Sequence, residues 1–217
     1  MPGPKELMAL FRARRTIRLY TEEPVSREHL ELILEAGRFA PSGGNRQPLQ
    51  YIVVQTPERI RTIRRLAIDA LLKMAREMEE ALSRQEASGQ PLPPSHQSLR
   101  VYIQVWKDLH ELEKQGIDRL FYRAPALVVC HADTTDAPTP EVDAGIAAMQ
   151  MVLMAETLGL GSCFCGFLVF AIKSSGQLLE ALEIPKHHIV PFSFVVGHPD
   201  VEYLRTVARR PLRVRWM

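Results

Sequence analysis

The nonapeptide Ala40-Pro41-Ser42-Gly43-Gly44-Asn45-Arg46-Gln47-Pro48 constrains this chain more than any other stretch. A helical period of apolar residues stops at Pro41, two glycines follow, and the apolar run Tyr51-Ile52-Val53-Val54 begins just beyond Pro48. Proline disfavours helical backbone in the residue before it, and glycine frees the backbone to turn. The segment therefore reads as a helix-to-strand loop, and such loops carry sites. Ser42, Asn45, Arg46 and Gln47 set hydroxyl, amide and guanidinium groups beside N–H groups that glycine can turn toward one point, which suits a polar, anionic ligand. The same residue types dominate turns for conformational reasons alone. Taken by itself, the loop leaves both readings open.

At 217 residues and 46% hydrophobic content the chain has enough apolar surface for one large domain. A net charge of +2 gives no electrostatic case for nucleic acid or a membrane surface, although arginines cluster near both ends. No apolar run approaches the length of a membrane-spanning helix, and Met1-Pro2-Gly3-Pro4-Lys5 lacks a signal-peptide core, so a soluble cytoplasmic protein is expected. Cys130, Cys163 and Cys165 are a small, odd set in apolar surroundings, which suits a reducing compartment. Cys163-Phe164-Cys165 invites a metal reading, but zinc needs ligands at orderly spacing and His131, His187, His188 and His198 show none. No metal is expected.

In chain order, Lys5 to Ala13 spaces Leu7, Met8, Leu10 and Phe11 as a short amphipathic helix that delivers Arg14 and Arg15 at its end. Arginine forks match phosphate oxygens, and the pair also compensates a helix dipole. Ser26 is placed to cap a second helix that carries Leu30, Ile33, Leu34 and Gly37 on one face. Thr56-Pro57-Glu58 opens a long helix into the eighties, broken at Ser88-Gly89-Gln90-Pro91. A further helix over 95–115 presents Leu99, Tyr102, Ile103, Trp106, Leu109 and Leu112, with Gly116 as its stop. The run Ala126 to Cys130 reads as a buried strand, and Val142 to Leu158 as an apolar, central helix ended by Gly159 and Gly161. Ser175 to Leu182 reads as a short helix and Ile189 to Val196 as a last strand. From Val201 to Met217 apolar residues alternate with arginines at 205, 209, 210, 213 and 215, the pattern of a docking tail. There is no Gly-x-Gly-x-x-Gly, no Walker-type sequence and no supported nucleophile triad, as expected where a cofactor carries the reaction.

The key loop resembles the Ala-Pro-Ser-x-x-Asn-x-Gln-Pro segment of the nitroreductase family of FMN-dependent oxidoreductases. Three more segments agree with it: Arg14-Arg15-Thr16-Ile17-Arg18; Asp143-Ala144-Gly145 leading to Leu158-Gly159-Leu160-Gly161-Ser162; and Gly197-His198-Pro199 with Arg209-Arg210-Pro211-Leu212. The match covers nearly the whole chain in order and is weakest between about Leu66 and Leu120. The resemblance implies one α+β domain over 1–217, a three-layer arrangement with a central, mostly antiparallel sheet, a variable inserted helical hairpin over about 66–120, and a tail over 201–217 that docks on a partner subunit. It implies an enzyme that binds FMN, takes electrons from NADH or NADPH, and passes them to a nitroaromatic, quinone or similar small acceptor. A flavin-binding regulatory protein and reductive dehalogenation are the alternatives on the same scaffold.

It further implies that FMN is held by Arg14, Arg15, Thr16, Pro41, Ser42, Asn45, Gln47 and Arg209, with Arg210 a one-residue alternative to Arg209. Phe164, Cys165 and Gly166 would line the flavin through backbone. Tyr102 and Trp106 are candidate substrate contacts, a role their spacing explains equally well as core packing. The chemistry would be the flavin's, with no catalytic side chain, and the protein a homodimer.

Overall fold

The computed structural model describes residues 2–88, 94–135 and 137–217, with residues 94–99 described by backbone only. The break read around Pro91 thus lies outside the described residues, as does the Leu99 side chain. The helices are α1 (Pro4–Ala13), α2 (Arg27–Arg38), α3 (Pro57–Ala87), α4 (Pro94–Lys114), α5 (Pro140–Thr157), α6 (Gly166–Ser174) and α7 (Gly176–Ala181). The strands are β1 (Leu49–Val54), β2 (Ala126–Asp133), β3 (Gly161–Phe164) and β4 (His188–Gly197). These four strands pair antiparallel, in the order β1-β2-β4-β3.

Side chains alternate along a strand, so a sheet buried on both faces needs apolar residues at every position. On β2, Ala126, Val128 and Cys130 join one core with Phe192, Phe194 and Val196 of β4, under α2 and α5. The intervening Leu127 and Val129 join Val195 in a second core under α3, α4 and α6. This gives three layers, helices on each side of a sheet, an α+β fold as the resemblance implied. Trp106 and Phe121, both at most 1% exposed, anchor the larger core. Full burial of side chains of this size stabilises by about 1.5–3 kcal/mol each.

Local chemistry sets the element ends. Ser26 caps α2 by accepting from the His29 N–H at 3.1 Å. Thr56 precedes Pro57 as expected, yet its side chain makes no cap hydrogen bond. Gly116, at φ 74°, turns the chain after α4. Asp118 then organises the return to the sheet: its carboxylate accepts from the N–H groups of Leu120, Phe121 and Arg123 and pairs with Arg64 of α3 at 2.9 Å.

Two elements were not legible beforehand. β3 is only four residues long, and α6 follows it without a polar cap or a proline to signal its start. α5 departs from expectation in one respect. It packs against α2 and the sheet, yet Val142, Ile146 and Met149 remain 60%, 37% and 39% exposed. Its apolar circumference is therefore not covered within the chain.

Candidate functional site

The loop after α2 holds a strained shape. Gly44, Asn45 and Gln47 have φ of 63°, 55° and 51°, the left-handed region, which costs of order 1 kcal/mol or more at a non-glycine residue. Ser42 Oγ accepts from the Gln47 N–H at 2.9 Å, the Ser42 carbonyl accepts from the Asn45 N–H at 2.9 Å, and Gln47 Nε2 donates to Asn45 Oδ1 at 3.2 Å. Ser42 is thus a turn residue whose hydroxyl proton remains available to a ligand. Pro41, Asn45 and Gln47 are exposed. The loop is tied down by Asp143, only 4% exposed, whose carboxylate accepts from the Gly43 N–H. Asp143 stands in the first turn of α5, where the helix dipole favours a negative charge.

The arginines gather at the other end of α5. Arg14 ends α1, and Thr16 bridges to Ser162 of β3, with the Ile17 N–H donating to the Ser162 carbonyl at 3.0 Å. Arg15 lies 4.1 Å from the Tyr203 ring centre and donates to the Arg205 carbonyl at 3.2 Å. A cavity of about 500 Å³ opens here, lined by Arg12, Arg15, Glu156, Gly161, Tyr203 and Arg205 among others. Burial raises the Glu156 carboxyl above its usual range, and the charge of Arg14 pulls it partly back. Arg15 has no carboxylate ion pair among the described residues, which leaves its fork for another anion. Arg18, third in the motif, faces Tyr122 and Cys163 instead. Arg209 does not line this cavity in the single chain; its Nη1 reaches only the neighbouring Ala208 carbonyl at 3.4 Å.

β3 leads from that cavity to the start of α6. Phe164, 46% exposed, packs edge-on to Phe192 and Phe194. Beside it runs an apolar cleft of about 300 Å³ lined by Ala144, Gly145, Met149, Phe164 and Phe192. Cys165 is buried, and its thiol donates to the Cys163 and Leu120 carbonyls at 3.5 and 3.7 Å. Burial pushes the thiols of Cys163 and Cys165 up, so neither supplies a thiolate. Gly166 is the exposed first residue of α6, with open space above it and no side-chain cap. The first N–H groups of a helix lack intrahelical partners, so this end offers backbone donors.

The two candidate substrate residues part company. Trp106 is 1% exposed, packs against Phe167 and Phe170, and its Nε1 has no hydrogen-bond partner among the described residues. Tyr102 stacks on it at 5.9 Å but stays 37% exposed. Asp143, Glu156, Tyr203 and Arg205 had been given no site role. Only Asp143 carried a local signal, an acid in the first turn after Pro140.

One chain therefore places the predicted groups in two sets. The loop is anchored at Asp143, the cationic cavity reaches Glu156, and the α5 segment between them spans about 20 Å at 1.5 Å per residue.

Residues 11–198 match the sequence profile of the Nitroreductase family. Over 205 residues the chain is 29% identical to an FMN reductase (NAD(P)H) of Bacillus subtilis, covering 89% of this chain and 66% of that one, about two thirds of its length. A nitroreductase with bound FMN from Desulfitobacterium hafniense superposes with a TM-score of 0.68 and 25% identity, over 99% of this chain and 100% of that one. A nitroreductase with bound FMN from Bacteroides fragilis shares the fold, with a TM-score of 0.71 and 21% identity over 97% of this chain and 99% of that one. With a family match that runs from within α1 to just past β4, the chain belongs to the nitroreductase family.

Proposed function

We infer that this protein is an FMN-dependent oxidoreductase that uses NADH or NADPH to reduce a nitroaromatic, quinone or similar small acceptor, and that it works as a cytoplasmic homodimer. The observation that carries the reading is the division of one donor set between two ends of α5. FMN presents a phosphate dianion, a polyol and a flat, largely apolar ring with polar edges. The chain offers a match for each: Arg15, without a carboxylate partner among the described residues, beside Arg14 and Thr16 for the phosphate, Ser42 and Asn45 for the polyol or ring edge, and Phe164 beside an apolar cleft, with the Gly166 N–H two residues on, for the ring. When bound, FMN supplies the hydride acceptance and electron donation that no side chain here can supply.

The chain's own residues do the rest. Charge-assisted forks from the arginines would hold the phosphate end, and the unpaired first-turn N–H groups of α6 would donate to acceptor atoms at the ring edge.

A second copy resolves the division. The loop of one subunit can complete the arginine cavity of the other, and the exposed Val142, Ile146 and Met149 face of α5 supplies apolar surface for the contact. Leu204, Leu212 and Trp216, each at least 89% exposed, have no cover within the chain and suit a tail that lies on a partner. Among the described residues no helix is long and apolar enough to cross a membrane, in keeping with the proposed compartment.

The test is the visible spectrum of the purified protein before and after anaerobic NADH or NADPH. Flavin absorbance that bleaches and returns with a nitroaromatic or quinone is expected. A protein that takes up no FMN overturns the reading; one that stays yellow with both nicotinamides reduces it to a flavin-binding module.

A further inference from the structure

We propose that Asp133, His187 and His188, at the far end of the β2-β4 ladder, form a binding site for a divalent transition-metal ion of the zinc class. The proposal is independent of the flavin reading. His131, His187 and His188 show no ligand spacing in sequence, and strand pairing alone brings them together. Asp133 pairs directly with His188 across the antiparallel ladder, so the two side chains share a face. His131, two residues before Asp133, shares that face, and a register shift between Cys130 and Ala132, beside Pro191, bends the strands there.

The distances suit ligands that converge on one ion. Asp133 Oδ2 is 3.5 Å from His187 Nε2 and 4.0 Å from His188 Nε2, and the three ligand groups lie within 4.8 Å of one another. Neither separation is that of a good hydrogen bond. Tetrahedral zinc with bonds of about 2.0–2.1 Å places its ligand atoms about 3.3 Å apart, so a small closure, available to the 62% exposed His187, completes the set. Two imidazoles and one carboxylate favour borderline divalent ions over calcium or magnesium and leave a position open to water.

The outer contacts are those of a prepared site. Asp133 Oδ1 is occupied, accepting from the Thr135 N–H and hydroxyl at 2.8 Å each, which leaves Oδ2 for the metal. His188, whose side chain is 7% exposed, has its Nδ1 2.8 Å from His131 Nδ1. One proton lies between those nitrogens. When His188 carries it, Nε2 presents a lone pair toward Asp133 and the buried His131 accepts, so His131 is a positioning residue. The metal would brace the connection from β2 to α5, where Pro138 and Thr139 occupy the space beside Gly43 of the key loop.

The test uses the full-length, flavin-loaded protein after EDTA treatment, dialysed against micromolar free Zn²⁺, with bound zinc counted by atomic emission and melting followed with and without the metal. One zinc per chain and a zinc-dependent rise in Tm are expected. His187→Ala and His188→Ala should each lose zinc at that concentration, and His187→Ala, at an exposed position, should also keep the zinc-free Tm. His131→Phe should weaken zinc binding by about 10–100-fold, the usual outer-contact effect, and His131→Asn should restore part of it. No uptake at micromolar zinc overturns the proposal, as does uptake that survives the His187→Ala/His188→Ala double variant.

Discussion

The backbone N–H of Gly43 donates to the carboxylate of Asp143 at 3.1 Å, a contact between residues 100 positions apart that roots the 40–48 loop on the first turn of α5. Asp143→Ala should leave a half-buried N–H unpaired, costing about 1–3 kcal/mol. Asp143→Asn keeps an acceptor and should lose less. Urea unfolding of the FMN-free protein checks the order; equal stability of Asp143→Ala and wild type would show that the loop stands without its root.

Arg14→Ala, Arg15→Ala and Arg209→Ala should each weaken FMN binding. A charge-assisted hydrogen bond is worth about 1.5–3 kcal/mol, or roughly 10–150-fold in affinity. Flavin fluorescence titration measures it. Full affinity in all three variants would remove the phosphate from this end of the molecule. An effect of Arg210→Ala with none from Arg209→Ala would move the assignment by one residue.

Gly161 packs directly against Ile17: a methyl group there would lie 2.5 Å from Ile17 Cγ1 and 2.8 Å from its Cβ. Gly161→Ala should therefore cost about 1–3 kcal/mol by overpacking and loosen the bridge between Thr16 and Ser162. Adding Ile17→Ala removes the γ carbons, so the double variant should lose less than the sum of the singles. Additive losses in thermal unfolding would argue against a direct clash.

Glu156 should make stability depend on pH in an identifiable direction. Burial raises its folded-state pKa, so the fold favours the protonated form. That stabilisation is fully present below the unfolded carboxylate value of about 4.3 and is lost as pH rises through the higher folded value. Glu156→Gln should melt above wild type at neutral pH, and the gap should close in acid. The same change removes a negative charge from the arginine cavity and should tighten FMN binding. A gap that widens in acid contradicts the burial account.

Truncation after Asp200 should abolish dimer and flavin binding together. The lost segment carries Tyr203, Leu204, Leu212, Val214 and Trp216, whose full burial on a partner would be worth about 1.5–3 kcal/mol each before ordering costs. A ligand that binds only the dimer stabilises it by mass action, so the two losses are linked. Light scattering and absorbance measure both. A truncated protein that stays dimeric with full flavin removes the tail from the interface.

Period and punctuation were enough to place most of the elements, while their three-layer antiparallel arrangement was what the family resemblance implied. Apolar runs at β1, β2 and β4, caps such as Ser26, and prolines at 41 and 57 are local signals, and the structure places helices and strands on them within a few residues, with α5 starting at Pro140 rather than at the expected Val142. The loop from Ala40 to Pro48 was visible for the same reason: a sharp turn needs glycine and proline whatever surrounds it. β3 and the start of α6 were not visible, because a four-residue strand has too few positions to show a period and α6 begins without a polar cap.

What only the tertiary structure decided are relations between distant segments. Nothing local tells Asp143 that it will hold Gly43, or Gly161 that Ile17 will press on it. The dispersed histidines looked unrelated because spacing along a chain says nothing about residues that meet across a strand ladder, where Asp133 finds His188. The family motifs imply that these residues serve one site, but not that a single chain holds the loop and the arginines at opposite ends of α5. Helix length, a property of the folded backbone, set that separation.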